Sequence, residues 1–143
     1  MSDAAVPLEG RINNGDQGYA PVAATTTIYK GTLVSMNASG YLVNAVDTSA
    51  FFFVGVAVDT VVNSGTDGAV YCPVWLEGAF IFTCTNDAVT DLFKHVYATD
   101  NQTVSTTATT NVGAVGRIIE INPGGAGNKV VVKLGAAHEN ADD

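Results

Sequence analysis

Short runs of strand-favouring residues alternate with clusters of turn-forming residues along most of this 143-residue sequence. The clusters are Asn13–Gly18, Asn37–Gly40, Asn63–Gly68 and Gly124–Asn128. Gly, Asn, Asp and Ser favour turns because they tolerate left-handed backbone or bond to their own main chain. The runs between them are rich in Val, Thr and aromatic residues, whose branched or flat side chains pack well on a pleated surface. The pattern predicts an all-β fold.

The predicted strands can be placed from the same pattern. They are Val22–Tyr29, Thr32–Met36, Tyr41–Val46, Phe51–Asp59, Ala69–Leu76, Ala79–Thr85, Val96–Thr99, Val112–Asn122 and Lys129–Leu134. The run Phe51–Asp59 is almost wholly apolar, which predicts burial on both faces. Phe80, Phe82 and Cys84 should share one face of their strand because side chains alternate. One short helix is predicted from Ala88 to about His95, with Asn86 or Asp87 as its cap.

Three regions differ in composition. Residues 1–21 hold few apolar residues and many turn formers, which predicts an extended N-terminal arm. This arm is either a frayed terminus or a segment that orders against a neighbouring subunit. Residues 22–135 form the predicted β-barrel domain, and residues 136–143 a flexible acidic tail.

A weak internal repeat is visible within the β domain. Leu33–Asn37 resembles Val96–Asp100, and Phe53–Ala57 resembles Asn111–Val115. Val74–Ala79 similarly resembles Val131–Ala136. The similarity reflects either two related units that close into a small barrel or sandwich, or chance in a chain rich in Val and Gly.

The charge of the chain argues against nucleic-acid and membrane partners. The formal net charge is −8, with six Lys and Arg residues, whereas binding to phosphates depends on clustered cations. The six are dispersed along the sequence, and no basic stripe is expected: Arg11, Lys30, Lys94, Arg117, Lys129 and Lys133. The first residues lack the pattern of a signal peptide, and Ala50–Val58 is too short an apolar run to span a bilayer. We therefore expect folding in a cytosol.

No arrangement of residues predicts catalysis, a cofactor or a metal ion. Cys84, Asp91 and His95 lie close in sequence, but their spacing matches no nucleophile signature, and Cys84 alternates with core residues. His138 lies in the tail and is expected to be solvated. The run Gly124–Asn128 lacks the Lys and Ser/Thr of a phosphate loop and is read as a hairpin turn. We therefore predict no catalytic, cofactor-binding or metal-binding residues, and no enzymatic activity.

Other side chains with chemical potential are assigned to the core. Cys72 and Cys84 are predicted to be reduced, buried thiols rather than a disulfide. Trp75, Phe80 and Phe82 are assigned to the core or to a subunit interface rather than to a ligand groove. The low charged fraction, 14% against about a quarter in typical chains, suggests that part of the surface is covered by other chains.

Several motifs resemble the capsid decoration (cement) proteins of bacteriophages. They are Tyr29–Val34, Val54–Asp59, Leu76–Phe80, Asp91–Asp100, Val112–Ile118 and Val130–Leu134. The resemblance implies a β-tulip or small β-barrel fold and a homo-oligomer, most often a trimer, on the exterior of the virion. It implies binding to the major capsid protein of the expanded head, after synthesis in the cytoplasm of the host bacterium. One alternative is a β-barrel binding module, adhesin-like, that recognises a glycan or a protein through exposed aromatic residues. A second alternative is a minor enzyme or protease cofactor, which would need Cys84 and His95 to be adjacent and exposed.

Overall fold

The computed structural model describes residues 17–107, 114–125 and 127–134, and these residues are almost entirely strands and turns. The strands are β1 (Gln17–Pro21), β2 (Thr26–Ile28), β3 (Leu33–Met36), β4 (Leu42–Asn44), β5 (Phe52–Ala57), β6 (Val61–Asn63), β7 (Tyr71–Trp75), β8 (Ala79–Thr83), β9 (His95–Ala98), β10 (Val104–Ser105), β11 (Gly116–Ile121) and β12 (Lys129–Leu134). Two short 3-10 helices cover Val89–Asp91 and Pro123–Gly125. The all-β prediction is confirmed.

The strands form two five-stranded antiparallel sheets and one two-stranded ribbon. The first sheet has the order β1-β7-β5-β3-β4, and the second has the order β10-β9-β11-β12-β8. The ribbon consists of β2 and β6. Each sheet thus contains strands that are adjacent in space but distant in sequence, and the hydrophobic contacts between them hold the fold together.

The two sheets have the same connectivity. Each sheet contains five strands, which can be numbered from first to fifth in the order in which they occur along the chain. In both sheets the spatial order is then first, fifth, fourth, second, third, with the first strand at one edge. The turns correspond as well: Thr32 N donates to Tyr29 O in the first sheet, and Lys94 N donates to Asp91 O in the second. The described residues thus contain two structurally equivalent units.

The register of these units differs from the one expected from sequence. Leu33 pairs with Val56 in the first sheet, and His95 pairs with Arg117 in the second, which makes Leu33 equivalent to His95 rather than to Val96. Cross-strand pairing fixes this register. The repeat expected from sequence aligned Val and Gly residues instead, and these residues are so common in the chain that they coincide in the wrong register.

The end of β5, in the middle of the first sheet, is buried on both faces. Val56 belongs to a hydrophobic cluster shared with the second sheet, whereas its neighbour Ala57 belongs to a cluster shared with the ribbon. The two-sided burial predicted for Phe51–Asp59 is thus confirmed for Gly55–Ala57, whereas Phe52 is 58% exposed and Asp59 is also exposed. In the second sheet, Phe82 faces the shared cluster, as predicted, while Ile81 faces outward.

Asn63 fastens the ribbon to the first sheet. Its side chain is almost fully buried, and its Nδ2 lies 2.9–3.1 Å from the carbonyl oxygens of Val22, Ala23 and Thr66. Its Oδ1 accepts a hydrogen bond from Gly65 N. Because buried polar groups without partners are costly, this side chain stabilises the turn after β6 from within.

Two boundaries differ from the predictions. Of the arm predicted for residues 1–21, residues 1–16 lie outside the described residues. The last five residues of this predicted arm form the edge strand β1, which pairs with β7. One buried side chain, Ala20, suffices for this strand because the ladder with β7 supplies its backbone hydrogen bonds. The predicted strand Val22–Tyr29 is interrupted by Thr25, whose φ is 55°.

The predicted helix Ala88–His95 is wrong. Only Val89–Asp91 is helical, as a single 3-10 turn in which Asp91 Oδ2 accepts a hydrogen bond from Ala88 N. Phe93, with a φ of 67°, redirects the chain into β9, and its N–H donates to the carbonyl of Ile118 in β11. The attachment to β11 is a tertiary contact, and it overrides the local capping signal.

Candidate interaction surface

The structure separates the three residues considered for nucleophilic chemistry. Cys84 is fully buried in the cluster between the sheets. His95 lies on the opposite face of the second sheet, because its neighbour Val96 is the residue of β9 that enters this cluster. Asp91 caps the 3-10 turn and lies 3.7 Å from Lys94 Nζ. The three therefore do not form one site.

Both cysteines are free and buried, as predicted. They belong to different hydrophobic clusters. Burial, together with the nearby Asp59 carboxylate, raises the pKa of the Cys72 thiol from 9.0 to about 11, and burial also raises the pKa of Cys84. Both thiols are therefore protonated, and poor nucleophiles, at neutral pH.

The described residues provide no cluster of three or more His, Cys, Asp or Glu side chains that would hold a metal ion. Within the same part of the chain, no helix is long and apolar enough to cross a membrane. The predicted turn at Gly124–Asn128 is present between β11 and β12, except that residue 126 lies outside the described residues. His138 and the predicted tail also lie outside them.

The aromatic residues divide between the core and the surface. Phe82 is buried, and Trp75 and Phe80 pack against the same cluster, which confirms their assignment to the core. Tyr19 and Tyr71, in contrast, are 68% and 60% exposed. Neither tyrosine belongs to a motif that predicts a functional role from sequence.

Tyr19 and Tyr71 form an exposed patch on the first sheet, which we call the aromatic edge. Tyr19 pairs with Pro73, and Tyr71 pairs with Pro21, so that the two tyrosines are diagonal neighbours across β1 and β7. Diagonal neighbours lie within reach of each other when the side chains are aromatic. The patch thus presents two rings and two prolines on the outermost pair of strands.

A second apolar surface lies in the loop before β9. Val89 is 76% exposed and Phe93 is 64% exposed, and we call these two residues and the loop between them the apolar loop. The equivalent of Phe93 in the first unit is Gly31, whose N–H likewise donates across the sheet and whose φ is 83°. A bulky residue in this conformation costs about 1–2 kcal/mol, and such strain is concentrated at functional sites.

Strand pairing brings two of the six Lys and Arg residues together with a histidine. Arg117 lies directly opposite Lys133 on one side and His95 on the other, so that these three residues form a row across β9, β11 and β12. Arg117 Nε donates to His95 Nε2 at 3.1 Å. We call these three residues the basic row. They are distant in sequence, and only the pairing of the strands brings them together.

No family model matches the chain, and no curated protein matches it. A crystal structure of the N base of head fiber gp8.5 of bacteriophage phi29 is similar, with a TM-score of 0.47 and 14% sequence identity. The similarity covers 85% of this chain and 96% of that chain.

Proposed function

We propose that this chain is a structural protein of a bacteriophage head, which binds the exterior of the expanded capsid and bridges neighbouring major capsid proteins. The observation that carries the proposal is the presence of two apolar contact surfaces on one small all-β domain. The aromatic edge belongs to the first sheet and the apolar loop to the second. A protein that bridges two others needs two such surfaces.

The exposure of these residues favours protein contact. Large apolar side chains gathered on a surface are typical of interaction sites, and aromatic residues are enriched where interfaces are buried. Phe93 is held exposed by a strained backbone, which is consistent with selection for a contact rather than for stability. The motifs that resemble cement proteins support the same role.

The proposed mechanism is linkage between binding and assembly. A protein that binds only the expanded shell stabilises that shell by mass action. If the chain forms a homo-oligomer, with a trimer as the state implied by the resemblance, several weak contacts act together and raise the avidity. Phe93 and Val89 would then insert between capsid proteins.

The test is co-sedimentation of the purified protein with expanded, undecorated heads and with unexpanded procapsids of the phage that encodes it. Saturable binding to expanded heads alone, at a fixed ratio per capsid site, is the expected result. Phe93→Gly should weaken this binding at least about tenfold, since a buried aromatic anchor contributes roughly 2 kcal/mol or more. Binding to neither shell would exclude the role.

A matched control separates contact from general hydrophobicity. Val62 in β6 is 60% exposed and lies outside both proposed surfaces. Val62→Ser should leave binding to heads unchanged, whereas Val89→Ser should reduce it. Equal losses for the two variants would show that the apolar loop has no special part in binding.

The aromatic edge also favours a second candidate function, a binding module for a glycan. Exposed aromatic rings offer flat apolar faces with a polar end, which suits a partner that is partly apolar and partly hydrated. On this account, titration with soluble oligosaccharides should perturb the NMR signals of Tyr19 and Tyr71, and Tyr19→Ala should abolish binding. The head-binding experiment would then give no saturable binding.

A further inference from the structure

The basic row occupies a position that is apolar and buried in the equivalent unit. In the first sheet, the corresponding cross-strand row is Leu33, Val56 and Trp75. Leu33 and Val56 are fully buried, and Trp75 packs against the same cluster, where the second sheet covers them. The same face of the second sheet carries His95, Arg117 and Lys133 instead, with Arg117 and Lys133 exposed. One unit therefore uses this face for packing, and the other presents a cationic surface.

The basic row brings two like charges together, and Glu120 on the same face lies opposite Val131 rather than opposite either cation. Arg117 and Lys133 are direct cross-strand partners, and like charges in this position destabilise a sheet. Among the described residues, Lys94 forms an ion pair with Asp91, whereas no ion pair joins Arg117 or Lys133 to a described carboxylate. In a chain of net charge −8, such a surface selects for an anionic occupant.

We propose that residues 136–143 of the same chain dock on the basic row, with their carboxylates against Arg117 and Lys133. This segment contains Glu139, Asp142 and Asp143 and no Lys or Arg. One residue separates it from the end of β12 at Leu134, and Lys133 is the penultimate residue of that strand. The proposal does not depend on the proposed function.

The length of the segment is sufficient for this contact. The row spans two strand spacings, about 10 Å. A chain covers at most about 3.5 Å per residue, so that the residues from Leu134 to Asp142 reach well beyond this span even after a reversal of direction. The segment then competes with any acidic protein surface for the basic row.

Zero-length carbodiimide cross-linking of the full-length protein, followed by peptide mass spectrometry, tests the proposal. We expect a link from Lys133 Nζ to Glu139, Asp142 or Asp143, with a yield that is unchanged over a roughly tenfold range of protein concentration, as for an intramolecular contact. In about 1 M NaCl, where the Debye length is ~3 Å, the link should be largely lost. Lys30, an exposed lysine outside the second sheet, serves as the internal control.

Each alternative outcome overturns the proposal. Absence of a tail link to Lys133, or an equal yield at Lys30, would show that the tail has no preference for the basic row. In a mixture of isotope-labelled and unlabelled protein, links between labelled and unlabelled peptides would show that another copy supplies the tail. A link that survives high salt would show that charge does not direct the contact.

A second measurement avoids the chemistry of cross-linking. The double variant Asp142→Asn, Asp143→Asn should shift the NMR signals of the Arg117 Nε–H group and of the His95 ring. The single variant Asp3→Asn, which alters a carboxylate at the other end of the chain, should leave them unchanged. Unchanged signals in the double variant would overturn the proposal independently of the cross-links.

Discussion

Gly55 in β5 and Gly116 in β11 are equivalent positions in the two units, and each lies where two strands approach too closely for a side chain. A Cβ atom added to Gly55 would lie 2.0 Å from the backbone oxygen of Trp75 and 2.9 Å from Val74 Cγ1. At Gly116, the added atom would lie 2.0 Å from the backbone oxygen of Lys133. We predict that alanine at either position strongly destabilises the protein.

The magnitude follows from this geometry. Because Cβ atoms essentially never lie closer than 3.0 Å to such a neighbour, the strands must separate by about 1 Å at Gly55→Ala. The separation removes an adjacent ladder hydrogen bond, which contributes about 1 kcal/mol, and opens the packing beneath it, which costs about 1–3 kcal/mol. The expected loss is about 2–4 kcal/mol, a large part of the 5–15 kcal/mol that stabilises a domain.

The assay is equilibrium unfolding in urea, supported by thermal denaturation. A loss of this size should lower the Tm by roughly 6–15 °C in a chain of this length. Gly127→Ala is the matched control, because no atom lies within 4 Å of its added Cβ and its φ is not left-handed. If Gly55→Ala and Gly116→Ala cost less than about 1 kcal/mol, or no more than Gly127→Ala, the close approach of the strands is not real.

Four further predictions concern single side chains. Asn63→Ala should lower the free energy of unfolding in urea by about 2–3 kcal/mol, because the buried carbonyl groups of Val22 and Ala23 lose their hydrogen-bond donor. A decrease below about 0.5 kcal/mol would show that the Asn63 side chain does not stabilise the contact between the ribbon and the first sheet. Hydrogen bonds from the backbone N–H of Asn128 and, to a smaller extent, from the Asn122 side chain lower the pKa of Asp87 from 3.8. The stability that the Asp87 carboxylate contributes is therefore fully present above pH 3.8, and it is lost as the pH falls through the lowered pKa of the folded state. The Asp87→Asn variant should accordingly have a lower Tm than the native protein at neutral pH, and the difference in Tm should narrow in acid. A difference in Tm that does not change with pH would show that ionisation of Asp87 does not stabilise the fold. Cys72 should resist a thiol-disulfide reagent at about pH 8 and react on addition of denaturant, whereas rapid reaction in the native state would show that it is accessible. Phe93→Gly should leave stability unchanged or raise it by up to about 1 kcal/mol, since relief of backbone strain offsets the added chain entropy; a clear loss in urea unfolding would show that the ring packs in the folded monomer.

Much of the fold follows from local patterns. Alternation in β8 places Phe82 inward and Ile81 outward, and the apolar run around Val56 indicates a strand buried on both faces. The turn after β11 follows from its glycines, two of which, Gly124 and Gly125, adopt the left-handed backbone that such turns require. These features depend on neighbouring residues, and the sequence therefore determines them.

The candidate surfaces depend on contacts that no local pattern contains. The helix predicted from Ala88 is replaced by a single turn, because the Phe93 N–H bonds to a carbonyl of β11. Tyr19 and Tyr71 become neighbours because β1 pairs with β7 across more than forty intervening positions of the chain. Tyr19 lies within the arm predicted for residues 1–21, for which no partner strand is expected from sequence.

The sequence by itself determined an acidic all-β protein with buried thiols, because net charge is a property of composition and the alternation of side chains is a local pattern of a few residues. The tertiary structure decided which exposed side chains meet. Arg117, Lys133 and His95 form a row only because three strands align in one register, and a shift by one residue would turn each of them toward the core. Register is set by cross-strand hydrogen bonds and packing between distant segments, and these interactions exist only in the folded chain.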